Sequence, residues 1–194
     1  MATVTVFTSL TLDGVMQAPG RPDEDTRDGF AHGGWAVPYM DEVMGRFAAQ
    51  GMGGPGSLLL GRRTYEDFHS FWPHQTDNPF TEARDNTRKY VASTTLREPL
   101  PWRNSTLLQG DAADAVAKLR EQPGDDLTVL GSGELVRSLM RRDLVDEYVL
   151  QVHPLVLGSG HRLFPAGVHA ALRLVDSVTT TTGVIIATYR PASR

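Results

Sequence analysis

The segment LLLGRRTYE, residues 58–66, has residue types suited to phosphate binding. Its apolar run predicts a buried strand that ends at Gly61, and the residues after it predict a helix. A helix that begins directly after a strand presents its free N–H groups to anions beyond the sheet edge, and glycine permits close approach. Arg62 and Arg63 can add charge-assisted hydrogen bonds, and Thr64 adds a hydroxyl. Taken alone, the segment is explained better as a turn with two solvated arginines.

Three further segments place glycine or hydroxyl residues after predicted strands. TVLGSGEL holds Gly131, Ser132 and Gly133 between a strand and a helix, which makes a second backbone cradle for phosphate. Val136 stands where the dinucleotide fingerprint has a third small residue, so a tight turn explains this segment equally well. KYVASTTL ends a strand with three hydroxyls, and VLGSGHRLF forms a glycine-bracketed loop; each by itself is typical of a turn.

Predicted strands and helices alternate along most of the chain. Strands are predicted at residues 3–10, 57–60, 89–93, around 104–110, at 127–130, after the helix that follows GSG, and twice in the tail around a turn at Thr182 and Gly183. A long loop over residues 13–38 precedes a helix begun by Pro38, and GMGGPG (51–56) is predicted to end that helix. Asp111 is predicted to cap a later helix. This order predicts an α/β layer fold with a mixed, mostly parallel sheet, flanking helices and a C-terminal antiparallel hairpin.

Composition narrows the function classes. The 194 residues, with 40% hydrophobic and 22% charged residues, are typical of a globular chain, and we expect one domain over residues 1–194. The net charge of -4 argues against a nucleic-acid partner. The chain has no cysteine, which excludes disulfides, thiolate zinc sites and cysteine nucleophiles. No run of about 18 apolar residues predicts a membrane span, so we expect no membrane contact and a cytoplasmic protein. Its six histidines lack a metal-ligand spacing, so we predict no metal.

Six segments in order carry a family resemblance that spans nearly the whole chain. SLTLDGVM, an acidic first helix at YMDEV, LLLGRRTYE, KYVASTTL, and VLGSGELVRSLM followed by VHPLVLGSGHRLF resemble the dihydrofolate-reductase-like superfamily. The most similar branch is the C-terminal reductase domain of the bifunctional riboflavin-biosynthesis deaminase-reductase. The resemblance implies a three-layer fold with an eight-stranded sheet, bound NADPH, hydride transfer to a small heterocyclic or carbonyl substrate, and a homodimer.

The resemblance also implies positions for the cofactor. Residues beside the nicotinamide would be Thr8, Ser9, Gly14, Val15 and Met16. The adenosine side and its phosphates would be held by Gly61, Arg62, Arg63 and Thr64, the ribose 2′-phosphate by Ser93 and Thr94, and the pyrophosphate by Gly131, Ser132, Gly133, Glu134 and Leu135. The branch often has a basic residue where this sequence has Thr94, so preference for NADPH would rest on Arg62 or Arg63.

For the substrate, the sequence indicates fewer residues than for the cofactor. The resemblance implies a carboxylate on the first helix that assists protonation, which is Asp41 or Glu42 here, with Asp41 preferred. Both also suit a helix N-terminus, where acids are stabilised by the helix dipole. Trp35 and Tyr39 could stack on a flat substrate, although core packing explains them as well. The alternative function is a non-catalytic nucleotide-binding protein on the same scaffold.

Overall fold

The computed structural model describes residues 1–53, 56–76 and 78–192, and in it eight strands form one sheet with helices on both faces. The strands are β1 (Val4–Thr11), β2 (Ser57–Gly61), β3 (Lys89–Ala92), β4 (Ser105–Leu108), β5 (Leu127–Leu130), β6 (Glu147–His153), β7 (Leu172–Thr179) and β8 (Ile185–Pro191). The helices are α1 (Glu42–Gly53), α2 (Arg62–Phe71), α3 (Pro79–Asn86), α4 (Ala112–Glu121) and α5 (Gly133–Met140).

The strand order is β4-β3-β2-β5-β1-β6-β8-β7. All pairs among β1 to β6 are parallel, whereas β8 runs antiparallel to both β6 and β7. This confirms the α/β fold predicted from the sequence, with a mostly parallel sheet and a C-terminal antiparallel pair. Because parallel strands need long crossovers, the helices lie between them in sequence and cover the sheet.

Alternating side chains of the central strands separate two cores. Leu59 of β2 packs in a buried cluster with Val116 of α4 and Leu139 of α5. Leu58 and Leu60 point the other way, into a cluster with Tyr65 of α2. A strand buried on both faces reads as a continuous apolar run, which explains the LLL sequence before Gly61.

Two boundaries of α1 differ from the sequence prediction. Pro38 lies in a short 3-10 turn at Val37–Tyr39, and α1 begins at Glu42. The helix also continues to Gly53, three residues into the glycine-rich segment that was predicted to end it; Gly54 and Pro55 lie outside the described residues. α1, the longest described helix at 12 residues, and the other helices of the described ranges are too short to cross a membrane.

Candidate functional site

Four neighbouring strands end at a cavity of about 1080 Å³. β3, β2, β5 and β1 are consecutive in the sheet and parallel, so their carboxyl ends lie at the same edge. In open α/β sheets this edge is where ligands bind. The cavity is therefore positioned by the fold itself rather than by one motif.

Most of the predicted cofactor residues line this cavity. They are Thr8 and Ser9 in β1 and Met16 after it; Gly61 at the end of β2, with Arg62, Arg63 and Thr64 after it; Ser93 and Thr94 after β3; and Gly131, Ser132, Gly133, Glu134 and Leu135 after β5. They are far apart in sequence, and the sheet order brings them together.

The N-termini of α2 and α5 both open on the cavity without side-chain caps. Gly61 precedes α2 and has no side chain to offer. Ser132 precedes α5, yet its hydroxyl makes no capping bond. The first turn of a helix has N–H groups without intrahelical partners, and these carry partial positive charge. Because α2 and α5 follow adjacent strands, their two uncapped first turns form one extended surface suited to binding anions.

Ser132 and Thr64 hold the two turns against each other. The Gly61 N–H donates to Ser132 Oγ at 3.0 Å, and the Ser132 N–H donates to Thr64 Oγ1 at 3.2 Å. The Ser132 hydroxyl can in turn donate to Thr64 Oγ1 or to the Leu130 carbonyl, each at 3.0 Å. Because these bonds occupy the Ser132 hydroxyl, it is unavailable to cap α5.

The glycines beside Ser132 are required by space and by backbone conformation. Gly131 has a φ of +55°, and a Cβ there would lie 3.4 Å from Thr64 Oγ1. At Gly133 a Cβ would lie 2.8 Å from the sulfur of Met16. The G-S-G turn is therefore packed directly against the loop that follows β1.

The predicted catalytic carboxylates lie outside the cavity, which corrects their expected placement. Asp41 is the residue before α1, and its Oδ1 accepts the Met44 N–H at 2.8 Å. Its Oδ2 accepts the N–H and hydroxyl of Thr181 at 2.7 and 2.6 Å, and these bonds lower the pKa of the Asp41 carboxyl. Glu42 is exposed and pairs with Arg46 at 2.8 Å. Helix capping and attachment of the β7–β8 turn account for Asp41 in the structure.

Four further residues are also placed differently from the prediction. Gly14 lies in a tight turn with a φ of +79°, and the Val15 side chain is fully buried. Trp35 is buried, and its Nε1–H donates to the Gln17 carbonyl at 2.7 Å. Tyr39 packs edge-on against the His153 ring at 5.5 Å between centroids. None of these four described residues lines the cavity. Trp35 packs within the long loop, and Tyr39 packs against Met44 of α1 and Ile186 of β8, so neither forms a stacking surface there.

The structure adds cavity residues that the sequence did not indicate. One group comes from the long loop and includes Gln17, Arg21 and Glu24. Other additions are Met40 and Met44 near the start of α1, Asp67 on α2, Gly110 to Ala112 at the start of α4, and Gln151 of β6. The length of the loop was the available signal, since long ordered loops in compact domains are often functional.

Carboxyl groups at the loop end of the cavity lie close enough to affect one another. Burial raises the pKa of Glu24, and the nearby Asp67 carboxylate raises it further. Burial likewise raises the pKa of Asp67, against the opposing effect of its ion pair with Arg21. The Glu24 Oε2 accepts the N–H groups of Gly20 at 2.6 Å and Arg21 at 3.1 Å, so this acid is fixed in place.

Fold and cavity together define an α/β protein with an anion-binding edge suited to a nucleotide. Family comparison makes this specific: residues 2–186 match the RibD C-terminal domain, and the chain belongs to that family. The chain is 29% identical over 175 residues to the uncharacterized protein YyaP of Bacillus subtilis (strain 168), covering 84% of this chain and 89% of YyaP.

Solved structures agree on the fold. A putative riboflavin biosynthesis protein from Shewanella sp. PV-4 superposes with a TM-score of 0.69 at 22% identity over the whole of both chains. A pyrimidine reductase-like protein from Corynebacterium diphtheriae gives 0.68 at 12% identity, covering all of this chain and 93% of that one. RibD from Acinetobacter baumannii gives 0.65 at 13% identity, and this chain spans 59% of its length. These likenesses show the fold, and the family match over residues 2–186 confirms the resemblance seen in the sequence.

Proposed function

We propose that this protein is an NADPH-dependent reductase of a small heterocyclic or carbonyl substrate. The observation that carries the proposal is the pair of uncapped helix N-termini, α2 and α5, held together by Ser132 and Thr64 at one cavity. Family membership supports the reductase class. The first turns of α2 and α5 would hold the phosphates of a dinucleotide, because helix N-termini bind phosphate groups.

The residues present fit this cofactor. The glycine turns leave no Cβ between the backbone and a phosphate, and a side chain at Gly133 would displace Met16. Arg63, at the start of α2, is exposed, whereas Arg62 forms an ion pair with Glu66 at 2.9 Å. We therefore propose Arg63 as the main partner of a ribose 2′-phosphate, with Ser93 and Thr94 beside it. NADPH supplies the hydride when bound, and the protein orients the reactants and excludes water.

Reduction of a C=N or C=O group also needs a proton, and we assign its delivery to Glu24. Both Glu24 and Asp67 are carboxyl groups of the cavity with raised pKa values. Asp67 is held in an ion pair with Arg21, which opposes the effect of burial and favours its ionised form. Glu24 makes its two backbone hydrogen bonds through Oε2, which leaves Oε1 as the oxygen to carry a proton. A carboxyl with a raised pKa is suited to general acid work near neutral pH.

The test is cofactor binding followed by turnover. We expect NADPH to raise the melting temperature and to be oxidised, followed at 340 nm, with pterins, a ribosylaminopyrimidine or simple carbonyl compounds. Binding without oxidation of NADPH by any of these would favour the non-catalytic nucleotide-binding alternative. No binding of NADPH at millimolar concentration would refute the proposal.

We also propose a homodimer. β7 is at the edge of the sheet, and Leu174 and Val175 on it are 51% and 42% exposed. An exposed apolar edge strand favours pairing with another chain. Light scattering coupled to size-exclusion chromatography should give a mass twice that of one 21.3 kDa chain. The Val175→Lys variant should give a mass closer to that of a monomer.

A further inference from the structure

The part of the cavity beyond the helix N-termini differs in charge from the part proposed for the cofactor. α2 connects the two, because Arg62 and Arg63 begin it while Asp67 and Phe71 follow along the same helix. At about 1.5 Å per residue, Asp67 lies roughly 6 Å and Phe71 roughly 12 Å beyond Arg63 along the helix axis. We call the wall formed by residues 21–27, Asp67 and Phe71 the loop wall.

Both arginines of the loop wall are already paired with carboxylates. Arg21 forms an ion pair with Asp67, lies 3.6 Å from Asp23, and has its guanidinium 4.4 Å from the centre of the Phe71 ring. Arg27 donates to Asp25 through Nε at 2.7 Å and through Nη2. Within the described chain, the charge of each arginine of the loop wall is therefore balanced by a carboxylate.

Carboxylates outnumber the arginines of the loop wall. Asp23, Asp25 and Asp67 face the two guanidinium groups, and Glu24 adds a further negative charge whenever it is ionised. The Asp23 and Asp25 charges both raise the pKa of Asp67, which shows that the three carboxylates are near neighbours. A phosphate entering here would meet net negative charge, and the carboxylates that balance both arginines would oppose its approach.

Apolar side chains outside the loop wall also line the cavity. Val37 and Met40 are 54% and 52% exposed there, although large apolar side chains are usually covered. Met44 lines the cavity too, and Phe71 adds an apolar ring within the loop wall. A flat ring would cover these side chains, since ligand sites are mostly apolar with a few oriented polar groups.

We propose that the substrate is a flat heterocycle without a phosphate or carboxylate group, selected by the loop wall. This inference rests on the proposed function, because it assigns the substrate class of the same cavity. It separates this protein from a reductase that acts on a phosphorylated ribosylaminopyrimidine. The paired arginines hold the loop against α2, and the surplus carboxylates exclude anions.

Two matched ligand pairs test the inference by calorimetry, with and without NADPH. The first is 5-amino-6-ribosylaminouracil and its 5′-phosphate, and the second is pterin and 6-carboxypterin. We expect the member without the anionic group to bind about tenfold more tightly or better in each pair, because like charges disfavour the other member. Equal or tighter binding of the anionic members by the wild-type protein would overturn the inference, as would failure of all four compounds to bind.

A charge reversal locates the effect. Asp23 is 86% exposed and has only a long contact to Arg21, so the Asp23→Lys variant should fold. It should reduce the ratio of affinities between the uncharged and the anionic member of each ligand pair at least threefold. Glu121→Lys changes the net charge equally at the exposed end of α4, where the neighbouring Arg120 contacts Ala2 at the opposite edge of the sheet. It should leave the preference unchanged. An equal change in both variants would contradict the assignment to the loop wall.

The outcome can be separated from that of the proposed function. Binding of NADPH, which we assign to the first turns of α2 and α5 rather than to the loop wall, is measured on the same samples, together with its oxidation. A charge preference without NADPH oxidation would keep the inference about the ligand and refute the reductase. NADPH oxidation with a phosphorylated compound as the better ligand would keep the reductase and refute the inference.

Discussion

Replacing Ser132 with alanine removes one hydroxyl and separates the two turns that we assign to the cofactor. The Gly61 N–H loses its acceptor at 3.0 Å, and Thr64 loses one of its two hydrogen bonds to Ser132. A partly buried donor left without a partner costs about 1–2 kcal/mol. For a chain of this length each kcal/mol corresponds to about 2–4 °C, so we expect the melting temperature to fall by about 2–8 °C.

Cofactor affinity should fall as well. The Ser132 backbone has a φ of +54°, a conformation that serine adopts only when its surroundings hold it there. Without the hydroxyl the turn has more conformations to lose on binding, so we expect NADPH to bind about three- to tenfold more weakly. Thermal melts with and without NADPH, together with fluorescence titration, measure both effects.

Two further variants control the Ser132→Ala experiment. Thr64→Val removes the acceptor of the Ser132 N–H, and the double variant should lose less than the sum of the single losses because the two residues are in contact. Ser105→Ala removes a buried hydroxyl that has no hydrogen-bond partner in the described chain, so it should leave stability nearly unchanged. The reasoning is refuted if Ser132→Ala and Ser105→Ala melt at the same temperature and bind NADPH equally.

Three other substitutions separate roles that the sequence left open. Asp41→Ala should lower the melting temperature and leave NADPH affinity and kcat unchanged, because the Asp41 carboxylate caps α1 and binds Thr181. A large loss of kcat at an unchanged melting temperature would instead show that Asp41 is a catalytic acid. Glu24→Gln should reduce kcat more than KM, and the wild-type kcat should fall as pH rises through the raised pKa of Glu24, since only the protonated acid can donate; a variant with the wild-type pH profile would exclude this role. Arg63→Ala should weaken NADPH about tenfold or more and NADH little, whereas Arg62→Ala should have the smaller effect because Arg62 is paired with Glu66; equal losses for both cofactors would show that neither arginine reads the 2′-phosphate.

The glycine turns that we assign to the cofactor could be recognised in the sequence because their signals are local. Each glycine turn lies directly between a strand and a helix, and the residue types that make such a turn are adjacent in sequence. The parallel sheet then brings the turns together through strand order, which the alternation of elements already implied. Gly61 and Gly131 are thus recognisable without knowledge of any distant contact.

The substrate end could not be predicted in this way. Asp41 occupies the expected place in the sequence, but its carboxylate accepts hydrogen bonds from Thr181, which is 140 residues away. No local sequence pattern predicts that contact. The contact of Arg21 with Asp67 links residues 46 apart, and it determines where the whole loop lies. Trp35 and Tyr39 were ambiguous for the same reason, since aromatic residues suit both a core and a ligand surface.

Under the proposed function, the same long-range contacts allow chains of this fold to keep one cofactor and differ in substrate. The turns that we assign to the cofactor use backbone N–H groups, which many sequences can supply as long as the glycines remain. The loop wall uses side chains whose net charge depends on their partners, because Asp67 balances the charge of Arg21. Replacing Asp67 with asparagine would leave the fold of α2 intact and release one guanidinium into the cavity. A single change in the loop wall would therefore alter the class of ligand that the protein accepts, while the α2 and α5 turns that we assign to NADPH stayed as they are.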